Sequence, residues 1–506
     1  MTSTTNNKRL LKNTIYLYLR MLVVMAIGLY TVRAFLDILG VVDYGIYNVV
    51  GGVVSMFAFL NRTLATSSQR YFSIALAKGD EDRLNKWFCL NITTFMLIGF
   101  GIVLVLETIG LWFLNTQMTI PEDRYFAANV VYQLSIIAFI FQIFSIPYLA
   151  LIIAHEKMNF FAFVGIFEAV GKLLIVFILR LLLCDKLILY GLLILLLNIS
   201  VAMSYVIFCG KKYNESRYKW YWDKEEAKEL LGFSGWHFMG TMSGAIKSQG
   251  INILLNMFFN PAINAARAIA FQVNSHITQL SSNFYTALKP QIYKTYASEE
   301  YDELYKLLMR GTIICAFLIS AVAFPVLSCT DFILDLWLKE VPDYAVLFTR
   351  LALIDGLIES TQNTLWVAAL ATGKIKKFMM VISSVVFCNL PISYVALKLG
   401  CEPTVTFYVS ILITLTVVIV MSYMLIKMIN FPFAKYMVLL SKIAIISIAL
   451  FLIIHFSMSG WINSFKSLVF SGLVIESFLV LSYMLIVSKS DRSAIINIVV
   501  QKFRKK

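Results

Sequence analysis

The chain has 506 residues, of which 59% are hydrophobic and 14% charged, with a mean hydropathy of +0.79. Soluble domains run nearer half apolar and a quarter charged, so this composition excludes a soluble catalytic or nucleic-acid-binding domain. The net charge of +14 must first be explained by membrane topology, and no nucleic-acid partner is expected.

The start, MTSTTNNKRLLKN, is polar and basic, but the apolar run behind it is too long for a signal-peptide core, so it is expected to remain as a span. Taking about 20 residues per crossing, apolar runs lie at 12–36, 45–69, 86–114, 125–154, 159–183, 187–209, 230–258, 262–288, 305–330, 344–371, 376–399, 403–427, 435–457 and 463–487. The predicted fold class is all-α, a polytopic membrane protein with about fourteen transmembrane helices. The seventh and eighth are the least apolar.

With the N-terminus in the cytoplasm, the inner segments hold most of the basic residues. Examples are Lys8/Arg9/Lys12, Lys211/Lys212/Arg217/Lys219/Lys224/Lys228, Lys374/Lys376/Lys377 and the tail from Lys489 to Lys506. The outer loops hold acids such as Asp37, Asp43, Glu122, Asp123, Asp331, Asp335 and Glu402. By the positive-inside rule both termini are therefore cytoplasmic.

Shifted by 220 residues, 11–87 lies over 231–307 without a gap, and A77-K-G-D-E-D-R-L84 falls on A297-S-E-E-Y-D-E-L304. An even number of spans separates the copies, so the repeat is parallel. The predicted plan is an N-terminal six-helix bundle at 1–209, a basic cytoplasmic linker at 210–229, a second six-helix bundle at 230–429, and two extra helices with a basic tail at 430–506. The linker's Trp220, Tyr221 and Trp222 suit the inner headgroup level.

A polar stripe runs down the second span through Asn48, Ser55, Arg62, Thr66 and Gln69, at steps of four and three that share one helix face. The second copy repeats it with Gln272, Ser275, Gln279, Ser282 and Thr286. Two readings fit: polar contacts between packed helices, including the Gly240/Gly244 small-residue spacing, or the wall of a water-filled lumen, which the embedded charges favour.

A cation at membrane depth costs about 2.5–3.5 kcal/mol on insertion scales, so it normally faces protein or a wet cavity. Five qualify as lumen cations for an anionic substrate: Arg20, Arg62, Lys172, Lys247 and Arg267. Arg62 and Arg20 lie close enough to the cytoplasmic end to snorkel instead. Lys172 follows Glu168 by four residues, which also fits an intrahelical ion pair. Among acids, Glu359 with Asp355 one turn earlier could carry a coupling H⁺ or Na⁺, or could pair with Arg350. Glu476 is unassigned.

Other chemistry finds no motif. Seven Cys and four His are scattered without metal-ligand spacing, so no metal and no cofactor are expected. Gly165-I-F-E-A-V-Gly171-Lys172 resembles a phosphate loop but has one residue too many, ends in Leu173 and lies within a span. No loop has room for a soluble catalytic domain, so the protein is not expected to be an enzyme.

The stretch Leu39-Gly40-V-V-Asp43-Tyr44-Gly45-I-Tyr47-N-V-V-Gly51-Gly52, with Lys12-Asn13-Thr14 opening the first span, resembles the polysaccharide transporters of the multidrug/oligosaccharidyl-lipid/polysaccharide (MOP) flippase superfamily. The likeness is to Wzx-type flippases of O-antigen and capsule assembly, and in layout it covers the chain. It implies two bundles in a V around a cationic cavity. It also implies transfer of an undecaprenyl-pyrophosphate-linked oligosaccharide across the bacterial cytoplasmic (inner) membrane by alternating access, driven by an ion gradient. The implied partners are that lipid-linked substrate, membrane lipids, a glycan polymerase and glycosyltransferases. No individual residue roles carry over. The residues agree in kind: Arg and Lys suit a pyrophosphate, while hydroxyls, amides and aromatics suit a sugar chain. The competing readings are a MATE-like drug or metabolite:cation antiporter and a lipid II flippase.

Overall fold

The computed structural model describes residues 12–28, 31, 38, 43, 46–47, 58–116, 121–182, 185–259, 261–338, 341–458, 465–486 and 492. The described chain is all-helical. It divides into two compact units, Met1–Phe238 and Met239–Lys506.

In the first unit, α1 covers 12–28, followed by α2 (Ala58–Lys78), α3 (Glu81–Val105), α4 (Leu111–Thr116), α5 (Tyr125–Ala154), α6 (Met158–Leu181) and α7 (Lys186–Lys212). Local chemistry sets the boundaries. Gly79 takes φ +67 and ends α2, a conformation open to glycine at little cost. The Asp80 carboxylate then caps α3 by accepting from Arg83 N at 2.9 Å. Asp185 caps α7 through Leu187 N and Ile188 N. Between α3 and α4 the helix widens into a π-turn over Leu106–Gly110. There the Leu106 carbonyl also accepts from the buried Tyr132 hydroxyl at 2.8 Å. Gly110 leaves room for that hydroxyl, because a side chain there would collide with it. Within this unit α5 is central and packs against α7, α2 and α3.

The stretch expected as a linker starts with the last turn of α7 and continues as a strap over 213–223, held against α3. The Asn85 amide donates to the carbonyls of Glu215 (2.7 Å) and Arg217 (2.9 Å). The Thr93 hydroxyl meets that of Tyr218 at 3.1 Å. The strap leads into α8 (Lys224–Phe258), whose first turn is capped by Asp223 accepting from Glu226 N.

The second unit contains the later part of α8, then α9 (Pro261–Ala297), α10 (Tyr301–Ser328), α11 (Thr330–Trp337), α12 (Ala345–Thr372), α13 (Lys376–Phe387), α14 (Asn389–Lys398), α15 (Val405–Ile429), α16 (Phe433–Met458) and α17 (Phe465–Ile486). Here α12 is central, packed on α9, α10 and α15. Close approach needs small residues: Gly311 on α10 meets Thr364 and Leu288, and Gly356 on α12 meets the Asn274 side chain. The run expected as one span over 376–399 is broken at Cys388 into α13 and α14. Pro391 has no N–H to donate one turn back, which accounts for the break.

Among the described residues, eight helical segments are long and apolar enough to cross a membrane, and the protein is a multi-pass membrane protein. Although α8, α9 and α12 have 35, 37 and 28 residues, they are not among the eight. Their polar residues lower their hydropathy, and several of those residues line the site below.

Candidate functional site

Four helices of the second unit converge on a pocket of about 170 Å³. Each contributes residues at helical spacing, so each presents one face. These are Gly244, Lys247 and Ser248 from α8, Arg267, Phe271 and Asn274 from α9, Asp355 and Glu359 from α12, and Thr406, Phe407 and Ser410 from α15. Below it an apolar cluster that includes Ile251, Leu255, Ala266, Phe348 and Phe407 fixes the four helices.

Arg267 is 3% exposed. Its Nη1 donates to Asn252 Oδ1, and its guanidinium lies 4.3 Å from the centre of the Phe271 ring. The Asn252 amide in turn donates to Gln249 Oε1 at 3.1 Å. Arg267 is thus oriented by a neutral amide and an aromatic face, with no ion pair to a carboxylate among the described residues. Lys247 also forms no ion pair among the described residues, although Asp355 and Glu359 line the same pocket. The Oδ1 atoms of Asp355 and Asn274 are buried and accept no hydrogen bond among the described residues. Such orphaned oxygens are costly unless something fills them. Glu359 is exposed at the pocket. Arg350 does not serve these acids: its Nη2 pairs with Asp331 at 2.5 Å.

The pocket therefore brings together four sequence-predicted residues, Lys247, Arg267, Asp355 and Glu359. It omits the others. Gln272, Ser275 and Gln279 are exposed on α9. The Ser275 hydroxyl bonds back to Gln272 O, and the Gln279 amide donates to Asn283 Oδ1. In the first unit Thr66 is buried on α2. Arg62 lies on α2, but its side chain is outside the described residues, as are Asn48 and Ser55. Arg20 rests 4.3 Å from the Phe161 ring centre and packs directly on Gly165 of α6. Lys172 is paired with Glu168 at 2.6 Å. The α15 wall was missed by sequence reasoning, because Thr406, Phe407 and Ser410 sit in an otherwise ordinary apolar span.

No family's sequence model matches the chain, and no curated protein matches it. Solved structures do. A MATE transporter in the bent conformation matches with TM-score 0.69 at 12% identity, over 88% of this chain and 100% of that one. The transporter ClbM in complex with Rb⁺ matches with TM-score 0.66 at 15% identity, over 81% and 94%. An outward-facing multidrug resistance MATE family transporter of the MOP superfamily matches with TM-score 0.66 at 12% identity, over 81% and 93%. The chain has the MATE transporter fold. At these identities the likeness is one of fold, so the cargo has to be argued from the residues.

Proposed function

We propose that the protein is a flippase for an undecaprenyl-pyrophosphate-linked oligosaccharide, moving the repeat unit across the bacterial cytoplasmic membrane by alternating access. The observation that carries this reading is the pair Lys247 and Arg267, two cations at one pocket with no ion-paired carboxylate among the described residues. Charge-assisted hydrogen bonds from such groups are the strong ones for phosphate oxygens. The pocket of about 170 Å³ is smaller than the ~300–1,000 Å³ that encloses a whole small-molecule ligand. It suits a headgroup or an ion, with the sugars lying outside it.

Asp355 and Glu359 supply the coupling. With the pocket empty, Lys247 offsets their charge across the site. An anionic headgroup competes for Lys247 and leaves the carboxylates, with Asn274 Oδ1, free to take H⁺ or Na⁺. Oxygen donors suit such hard cations. The same acids favour the second reading, a MATE-like antiporter for cationic compounds.

Deleting the gene separates the two. The flippase reading expects loss of O-antigen or capsule, with lipid-linked repeat units accumulating, and no rescue by an expressed Lys247→Gln variant. Intact surface glycan with altered drug sensitivity favours the antiporter.

A further inference from the structure

A second pocket, of about 430 Å³, lies in the first unit between α3, α5 and the strap. Its walls are Ile92, Met96 and Leu97 of α3 with Phe144 of α5, and its rim is Tyr218 and Trp220 of the strap. We propose that this groove is a binding site for an anionic phospholipid of the cytoplasmic leaflet, one acyl chain in the groove and the headgroup on the basic strap. The site is separate from the transport pocket and rests on the cytoplasmic placement of the strap that its charge dictates.

The lining selects an apolar occupant. The Thr93 hydroxyl donates to the Cys89 carbonyl and meets the Tyr218 hydroxyl, which leaves the Tyr148 hydroxyl and the Trp220 indole N–H as the other polar side-chain groups of the lining, too few to hold a sugar or an ion. Depth selects an acyl chain. With the acidic and basic first turn of α3, Glu81–Lys86, in the headgroups, Ile92 to Leu97 lie about 8–15 Å beyond Trp87 along the axis. That is within one leaflet of a ~30 Å hydrocarbon core. Trp220 is 77% exposed and Tyr218 46%, and both are residues that favour the interface.

Charge selects an anionic headgroup. The strap's two acids are engaged, Glu215 with His155 at 2.8 Å and Asp223 as the α8 cap, and Glu226 in the first turn of α8 accepts from the Tyr221 hydroxyl at 3.0 Å. Lys86, Arg217 and Lys219 are exposed around the rim. Lys86 Nζ sits 6.0 Å from the Tyr221 ring centre, and Lys219 is placed by its backbone N–H on Cys89 Sγ at 3.3 Å.

The test is native mass spectrometry of the full chain in detergent with equimolar phosphatidylglycerol and phosphatidylcholine. Wild type should retain phosphatidylglycerol in preference by about tenfold or more, the scale of two basic side chains near an anionic lipid. The surface variant Lys86→Glu/Arg217→Glu/Lys219→Glu should lose the preference. Met96→Trp, which fills the groove, should lose retention of both lipids with an unchanged melting curve. Equal retention of the two lipids by wild type, or a preference unaffected by either variant, overturns the proposal. So does displacement of phosphatidylglycerol by undecaprenyl phosphate, which would make the groove the seat of a substrate tail.

Discussion

Arg20 on α1 and Gly165 on α6 form one packing unit: the guanidinium lies where a side chain at 165 would be, and Nε has no hydrogen-bond acceptor among the described residues. The Phe161 face also contacts the guanidinium, a cation–π arrangement. Gly165→Val should therefore displace Arg20 and lower stability by about 1–3 kcal/mol, as overpacking does, read as a lower unfolding midpoint in detergent. Arg20→Met combined with Gly165→Val should restore much of that loss. A Gly165→Val protein as stable as wild type would mean Arg20 does not occupy this place.

Asp355 and Glu359 share a face of α12 at the pocket. Glu359→Gln, and Asp355→Asn, should uncouple transport from an imposed H⁺ or Na⁺ gradient while leaving headgroup binding in place, because Lys247 and Arg267 remain. Gradient-driven transport at wild-type rate in both variants would remove the acids from the coupling role.

Lys172 and Glu168 are an i,i+4 pair with side chains 47% and 36% exposed. Such pairs contribute at most about 1 kcal/mol. The charge-neutral double variant Glu168→Gln/Lys172→Met should transport within about fivefold of wild type on that scale. The single Lys172→Met is expected to be worse, since it leaves a carboxylate unpaired. Loss of transport in the double variant would return Lys172 to the substrate-binding set.

The strap is pinned by His155, which bonds Glu215 at 2.8 Å and stacks on Tyr213 at 4.0 Å. Burial pushes the Glu215 carboxyl upward, but the His155 hydrogen bond, one from its own backbone and the His155 charge outweigh it, and the net shift is downward. A lowered carboxylate contributes stability above its unfolded value, about 4.3, and loses that contribution as pH falls through the folded value. Amide exchange over 213–223, corrected for intrinsic rates, should therefore accelerate below about pH 4.3. At neutral pH Glu215→Gln should raise maleimide labelling of Cys89, which the strap covers at the Arg217 carbonyl and the Lys219 amide. Unchanged labelling would show that the pair does not hold the strap.

Local patterns were legible in the sequence. The apolar runs located the helices, and the four-residue spacing of Glu168 and Lys172 already contained their ion pair. The low hydropathy of the seventh and eighth spans marked the helices that carry Lys247 and Arg267. What stayed hidden depends on contacts between distant segments. Spacing along α12 left Asp355 and Glu359 free to pair with Arg350, yet Arg350 turns to Asp331, 19 residues earlier. Gly165 read as part of a failed phosphate loop, whereas it makes room for Arg20 across 145 positions of chain. The α15 wall gave no signal, because Thr406 and Ser410 are two of several scattered hydroxyl residues in an otherwise apolar span. Pro391 was visible, and its missing N–H could have announced the break at Cys388.

The most direct measurement is translocation by the purified protein in proteoliposomes, with a fluorescent undecaprenyl-pyrophosphate oligosaccharide scored for access to an external glycosidase and a cationic dye run in parallel. The account predicts protein-dependent exposure of the lipid-linked glycan, loss of that exposure in Lys247→Gln, and no dye transport. Dye transport with the glycan left on its original leaflet would contradict it.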